Sequence, residues 1–140
     1  MADRVIVFKG IRLLELLHDG RAFETFPIAL GRDPQGAKQH EGDGRTPEGD
    51  YVIDWKSTET RYTRELHISY PSEADRERAE TLHANPGGAI FIHGLPADFG
   101  PYDPPKWTRD WTEGCISVGN AAIVKIWNAV PAGTPIEIRP

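Results

Sequence analysis

The fold this sequence predicts is a single, mainly β domain over residues 1–140, with one packed helix and one surface helix. Three observations predict it. A chain of 140 residues that is 39% hydrophobic encloses one core and is too short to divide comfortably into two. Its 14 glycines and 12 prolines imply many turns without reaching low complexity. Its apolar residues fall mostly into short runs and alternations of strand length, with a clear helical repeat only near the C-terminus.

Along the chain, Arg4 to Lys9 holds a continuous apolar run, Ile11 to Leu17 is leucine-rich, and Arg21 to Leu30 alternates around Phe23, Thr25 and Ile28. His18-Asp19-Gly20 supplies an Asp-Gly turn between the last two, so a hairpin is expected. Leu13 to Leu17 also fits a helical turn, because period does not decide short apolar runs; strand ranks ahead. Residues 31–49 mix glycine, proline and charge without periodicity and read as a long surface loop, of the kind that often carries function. Thr46-Pro47-Glu48-Gly49 leads into an alternating strand, Asp50 to Trp55, and Glu65 to Tyr70 makes another, ended by Pro71.

Ser72, with Asp75 three residues on, forms a capping box that opens a charged, solvated helix ending before Asn85-Pro86-Gly87-Gly88. Ala89 to Ile92 is wholly apolar, as in a strand buried on both faces, and delivers His93-Gly94 at its end. Leu95 to Thr112 is irregular and rich in proline and aromatics, and reads as a lid or cleft wall. Asn120 is placed to cap a helix whose Ile123, Ile126, Trp127 and Val130 repeat at i, i+3, i+4 and i+7, and Pro135 to Arg139 is the last strand.

The net charge of −5, with both signs interspersed and no basic run, argues against nucleic-acid and membrane-surface partners. No apolar stretch reaches membrane-spanning length, so no membrane insertion is expected; the Val5 to Phe8 run is too brief for a secretory leader. A single cysteine excludes an intrachain disulfide and is silent on compartment. A monomer is expected.

A lone cysteine is more often a small buried hydrophobe than a nucleophile. Cys115, however, follows Gly114, which admits a substrate backbone and leaves amide N–H groups to face an oxyanion, and its neighbours are polar or turn-forming. A thiol is mostly protonated at neutral pH and needs a neighbouring base. His93, at a strand end and followed by a side-chain-free Gly94, has the right address, whereas His18, His40, His67 and His83 lie in a turn, a loop, a strand and a helix end.

Ile92-His93-Gly94 followed, after a spacer, by Thr112-Glu113-Gly114-Cys115-Ile116 resembles the signature of the L,D-transpeptidase catalytic domain (YkuD type). Thr46-Pro47-Glu48-Gly49-Asp50-Tyr51 looks like that family's Thr-Pro turn, and Ala29-Leu30-Gly31 like the strand-glycine pair before it. The resemblance implies a β-sandwich of mixed sheets and a cysteine acyltransferase acting on peptidoglycan stem peptides. By it, Cys115 is the nucleophile, His93 the general base and acid, Gly114 an oxyanion donor, and Gly94 the residue that orients His93.

It further implies release of D-alanine, then 3–3 cross-linking or, with water, carboxypeptidase activity. Carbapenem-type inhibitors are expected to acylate the thiol, no cofactor or metal is called for, and the place of action is the periplasm or cell envelope. Arg45, Trp107, Arg109, Trp111 and Ser117 are candidates to line the substrate groove; Ser117 stands where many members carry arginine or asparagine.

Two other enzyme classes fit less well. Papain-like and NlpC/P60-like peptidases place the cysteine before the histidine, and every histidine here precedes Cys115. No His-Glu-x-x-His spacing supports a zinc peptidase. A wall-binding module without turnover has no need of an activated thiol.

Overall fold

The computed structural model describes residues 1–99 and 109–140. Eight strands form one ladder: β1 (Arg4–Phe8), β2 (Leu13–His18), β3 (Arg21–Pro27), β4 (Gly49–Ser57), β5 (Glu65–Ile68), β6 (Phe91–His93), β7 (Ile116–Ser117) and β8 (Thr134–Arg139). Their order is β3-β2-β1-β8-β4-β5-β6-β7, with β1–β8 and β6–β7 parallel and the other pairs antiparallel. The mainly β class with mixed pairing and two helices is what the sequence predicted. The layers of the expected sandwich belong to a single continuous, curled sheet.

Local chemistry accounts for most elements. β1 keeps Val5, Ile6 and Val7 all buried because it runs between two neighbours in the middle of the ladder. Leu13 to His18 is a strand, with Leu14, Leu16 and Leu17 buried. Asp19 and Gly20 both have positive φ, the conformation of a tight turn whose twist matches its strands.

Helix α1 (Glu73–Thr81) has the predicted capping box: Ser72 Oγ accepts from the Asp75 amide, and Asp75 accepts from the Ser72 amide. Asp75 also accepts from the Tyr51 hydroxyl at 2.7 Å, which ties α1 to β4.

Helix α2 (Asn120–Ala129) sends Ile123 and Ile126 into the main core, followed there by Val130, as its apolar repeat predicts. Its N-cap is Gly119, and no side chain caps it. Asn120 is thus the first helical residue, and its amide is used elsewhere.

The ladder curls until its two edges meet. Just beyond β3, the Ala29 N–H donates to Ser117 O (2.8 Å) and the Ser117 N–H donates to Ala29 O (2.9 Å), so the far edge strand β7 is bound on both sides. Around this closure lie β6, β7 and the turns that enter them. Expected to be buried on both faces, the segment around β6 instead alternates: Ile90 and Ile92 are buried, while Ala89 is exposed and Phe91 half-buried. The open side of that alternation is a cavity wall.

Candidate active site

The turn that carries the cysteine is held by its own motif. The Thr112 hydroxyl donates to Cys115 O at 2.7 Å and accepts from the Gly114 N–H at 3.1 Å. Backbone bonds from Thr112 N to Leu30 O (3.2 Å) and from Arg32 N to Thr112 O (2.9 Å) lace the turn to the segment after β3. Just upstream, the Asp110 carboxylate takes two bonds from Arg12 and one from the Leu30 amide. Gly114 is required twice over: its φ is +146°, and a Cβ there would lie 2.8 Å from Arg45 O.

Cys115 is half-buried. Its sulfur accepts from the Phe91 N–H and donates to Ala89 O, each at 3.4 Å. Burial pushes the thiol up to about 11; the Phe91 amide works the other way, the Glu65 charge adds to the rise, and Lys38 opposes it.

His93 closes β6 and is buried. Its Nδ1 lies 2.7 Å from Gly94 O. A carbonyl only accepts, so Nδ1 carries the proton and Nε2 keeps its lone pair. Tyr62 stacks on the ring at 4.3 Å between centroids, and Trp111 meets it edge-on at 5.7 Å. Burial lowers the imidazole's pKa, the Gly94 carbonyl opposes this and the Arg61 charge adds to it, so the ring is neutral at neutral pH.

The carbonyl that orients His93 is itself fixed. The Gly94 N–H donates to Tyr62 O at 3.0 Å. Asn120 Oδ1 accepts from Leu95 N at 2.7 Å, and its Nδ2 donates to Pro96 O at 3.3 Å. A Cβ on residue 94 would lie 2.6 Å from Asn120 Oδ1 and 2.9 Å from Tyr62 O, so only glycine fits this approach.

Register explains how residues distant in sequence share a face. Ile92 pairs with Ile116 and His93 with Ser117, which sets Phe91 opposite Cys115 and turns Phe91, His93, Cys115 and Ser117 to the same side. Cys115, His93, Tyr62, Trp111 and Glu65 line one cavity of about 320 Å³. A protonated thiol and a neutral imidazole with Nε2 open make a set suited to base-assisted thiol attack rather than a resting ion pair.

The profile of the L,D-transpeptidase catalytic domain (YkuD) matches residues 2–138. The chain belongs to this family. Solved structures share its fold. The helical cell shape determining protein Pgp2 from Campylobacter jejuni is 27% identical, with a TM-score of 0.73 over 96% of this chain and 46% of its own. An L,D-transpeptidase from Xylanimonas cellulosilytica is 20% identical, with a TM-score of 0.63 over 98% of this chain and 60% of its own. LdtMt1, solved in complex with imipenem, is 14% identical, with a TM-score of 0.61 over 96% of this chain and 57% of its own. The domain thus spans about half the length of the solved chains it matches. No curated protein matches it in sequence.

Of the L,D-transpeptidase signature residues, Cys115 and His93 line one cavity, and the amides of Gly114 and Cys115 differ in what they bond. The Gly114 N–H is given to Thr112 Oγ1, whereas the Cys115 N–H makes no hydrogen bond among the described residues.

The groove candidates divide. Trp111 lines the cavity. Trp107 lies outside the described residues, and Arg109 is exposed and outside the lining. The Arg45 side chain turns to Asp33, at 3.9 Å, and to Gly36, so what Arg45 offers the site is its backbone carbonyl against Gly114. Ser117 is fully enclosed at 0% exposure, and its hydroxyl has no partner among the described residues. Among the described residues, neither Arg45 nor Ser117 belongs to the cavity lining.

Three residues of the site escaped sequence reasoning. Tyr62 sits in the β4–β5 connection, which carries no motif. Asn120 is legible as a polar residue at a helix start, which predicts a cap, whereas the N-cap is Gly119. Glu65 looked like the ordinary polar beginning of a strand. Among the described residues, the one group of three possible metal donors, Asp3, His18 and Asp19, is exposed and takes no part in the cavity.

Proposed function

We propose that this domain is a peptidoglycan L,D-transpeptidase acting through a Cys115 thioester. The observation that carries the proposal is the shared cavity: one thiol and one imidazole whose Nε2 is left open by the Gly94 carbonyl. In this reading His93 Nε2 takes the thiol proton as sulfur attacks the carbonyl of the diamino acid residue in a stem tetrapeptide. The Cys115 N–H stabilises the oxyanion. Collapse breaks the C–N bond, the imidazolium proton goes to the leaving D-alanine amine, and a thioester remains.

A second stem's amine then forms a 3–3 cross-link, or water yields a carboxypeptidase. Because its substrate lies outside the cytoplasmic membrane, the proposed place of action is the cell envelope. Among the described residues, no helix is long and apolar enough to cross a membrane.

The test is a carbapenem incubation read by intact-protein mass spectrometry. A one-to-one covalent adduct is expected on the wild type, and Cys115→Ala should stay at its native mass and lose turnover of tetrapeptide donors. A wild type that takes up no label, or a Cys115→Ala protein that still turns over, rejects the reaction. The first outcome would favour a wall-binding module instead.

A further inference from the structure

Glu65 lines the cavity, and neither the thiol nor the imidazole explains its placement. Opposite His93 in the β5–β6 pairing, it faces the same side of the sheet and lines the cavity with Cys115. Half-buried, its carboxylate makes no hydrogen bond or ion pair among the described residues, unlike Glu113, which is paired with Arg32. Its charge reaches the sulfur and helps hold the thiol protonated.

An unpaired anion beside a nucleophilic thiol hinders ionisation, so on its own it opposes the first half-reaction. It suits a reaction whose second half brings in a cation. Of the other charges here, Lys38 is held by Asp43, and Arg61 is the charge that reaches His93. Neither neutralises Glu65.

We infer that Glu65 is an ammonium site that seats the cationic amine of the acyl acceptor beside the thioester, favouring aminolysis over hydrolysis. The inference rests on the thioester chemistry proposed above and names the group that resolves it. An acceptor nitrogen must come within about 3–3.5 Å of the acyl carbon to react, and a carboxylate lining the nucleophile's own cavity draws it there. The bound ammonium loses one proton to solvent. The neutral amine then attacks, the N–C bond forms as the C–S bond breaks, and the second amine proton passes through His93 Nε2 to the departing sulfur.

The experiment has two arms, both on the intact protein and its Glu65→Gln variant, with Glu65→Asp as the charge-retaining control. In the first, iodoacetamide alkylation of Cys115 is followed against pH with and without millimolar cadaverine, a diamine without carboxylates. The wild-type thiol titration should move to lower pH when cadaverine is added. Glu65→Gln should start lower and no longer respond, and Glu65→Asp should respond. In the second, the acyl-enzyme from a stem tetrapeptide is partitioned between cadaverine and water. Glu65→Gln should acylate faster, and its aminolysis-to-hydrolysis ratio should fall about fivefold, the size of a partly screened charge pair.

A cadaverine response that survives in Glu65→Gln, or a partition ratio that does not move, overturns the inference. If neither protein is acylated by tetrapeptide or carbapenem, the reaction itself is wrong. The alkylation arm then decides alone whether Glu65 is an ammonium site.

Discussion

Burial acts on the His93 imidazole and the Cys115 thiol in opposite directions, and the sign of each fixes a pH window for stability. The folded His93 imidazole has a pKa below the ordinary 6.5, so on acidification the unfolded chain takes up that proton first. The stability it contributes is complete above pH 6.5 and is lost as pH falls below it. The Cys115 thiol is raised from 9.0 to about 11, so the folded chain holds its proton longer, and stability is lost as pH climbs from 9. Urea midpoints measured against pH should therefore plateau between 6.5 and 9. Cys115→Ala should flatten the decline between pH 9 and 10, before the buried phenols of Tyr51 and Tyr70, also pushed up, contribute. A decline that persists undiminished in Cys115→Ala would assign it to another group.

Among the elements, α2 joins core to site. Its apolar stripe anchors the helix, and its first residue holds the chain that leaves β6, so packing of Ile123 and Ile126 is transmitted through Asn120 to the carbonyl that sets the His93 tautomer. Asn120→Ala leaves the Leu95 N–H without this partner, at about 1–3 kcal/mol for a buried donor. Acylation should slow more than tenfold. Because the Gly94 bond raises the His93 pKa, loosening it should also move the acid limb of the acylation profile to lower pH. A lower melting temperature with an unmoved limb would make Asn120 a stability residue only. The capping box of α1 and the apolar repeat of α2 were legible because their partners lie within a turn or two. Local sequence predicts Asn120 as a cap, but the partners of its side chain, Leu95 and Pro96, lie across the fold.

For the whole molecule, the decisive feature is the meeting of the sheet's edges at Ala29 and Ser117. β7 is only two residues long, and it keeps its place because β6 binds one side and the segment after β3 binds the other. Cys115, immediately before β7, inherits that position. Ala29→Pro removes the N–H that bonds Ser117 O and leaves a buried carbonyl unpaired, a loss of about 1–3 kcal/mol. Hydrogen exchange should quicken at Ile116 and Ser117 far more than in β1, with slower acylation of Cys115. Equal protection of β7 in both proteins would show that β6 suffices to hold it.

By itself the sequence determined what depends on near neighbours and on residue type: most strands, both helices, the Asp-Gly turn, and the His-Gly and Thr-x-Gly-Cys motifs. It also put forward Cys115 and His93, which the fold brings to one cavity, because few residue types do nucleophilic and base chemistry. Tertiary structure alone decided which polar groups remain available to a ligand. The Gly114 amide is consumed by Thr112, Ser117 is fully buried, Arg45 turns to Asp33, and Glu65 is left unpaired in the cavity that holds the sulfur. Each of these depends on a partner brought close only when the sheet curls shut, and sequence spacing carries no trace of a hydrogen bond made across the fold.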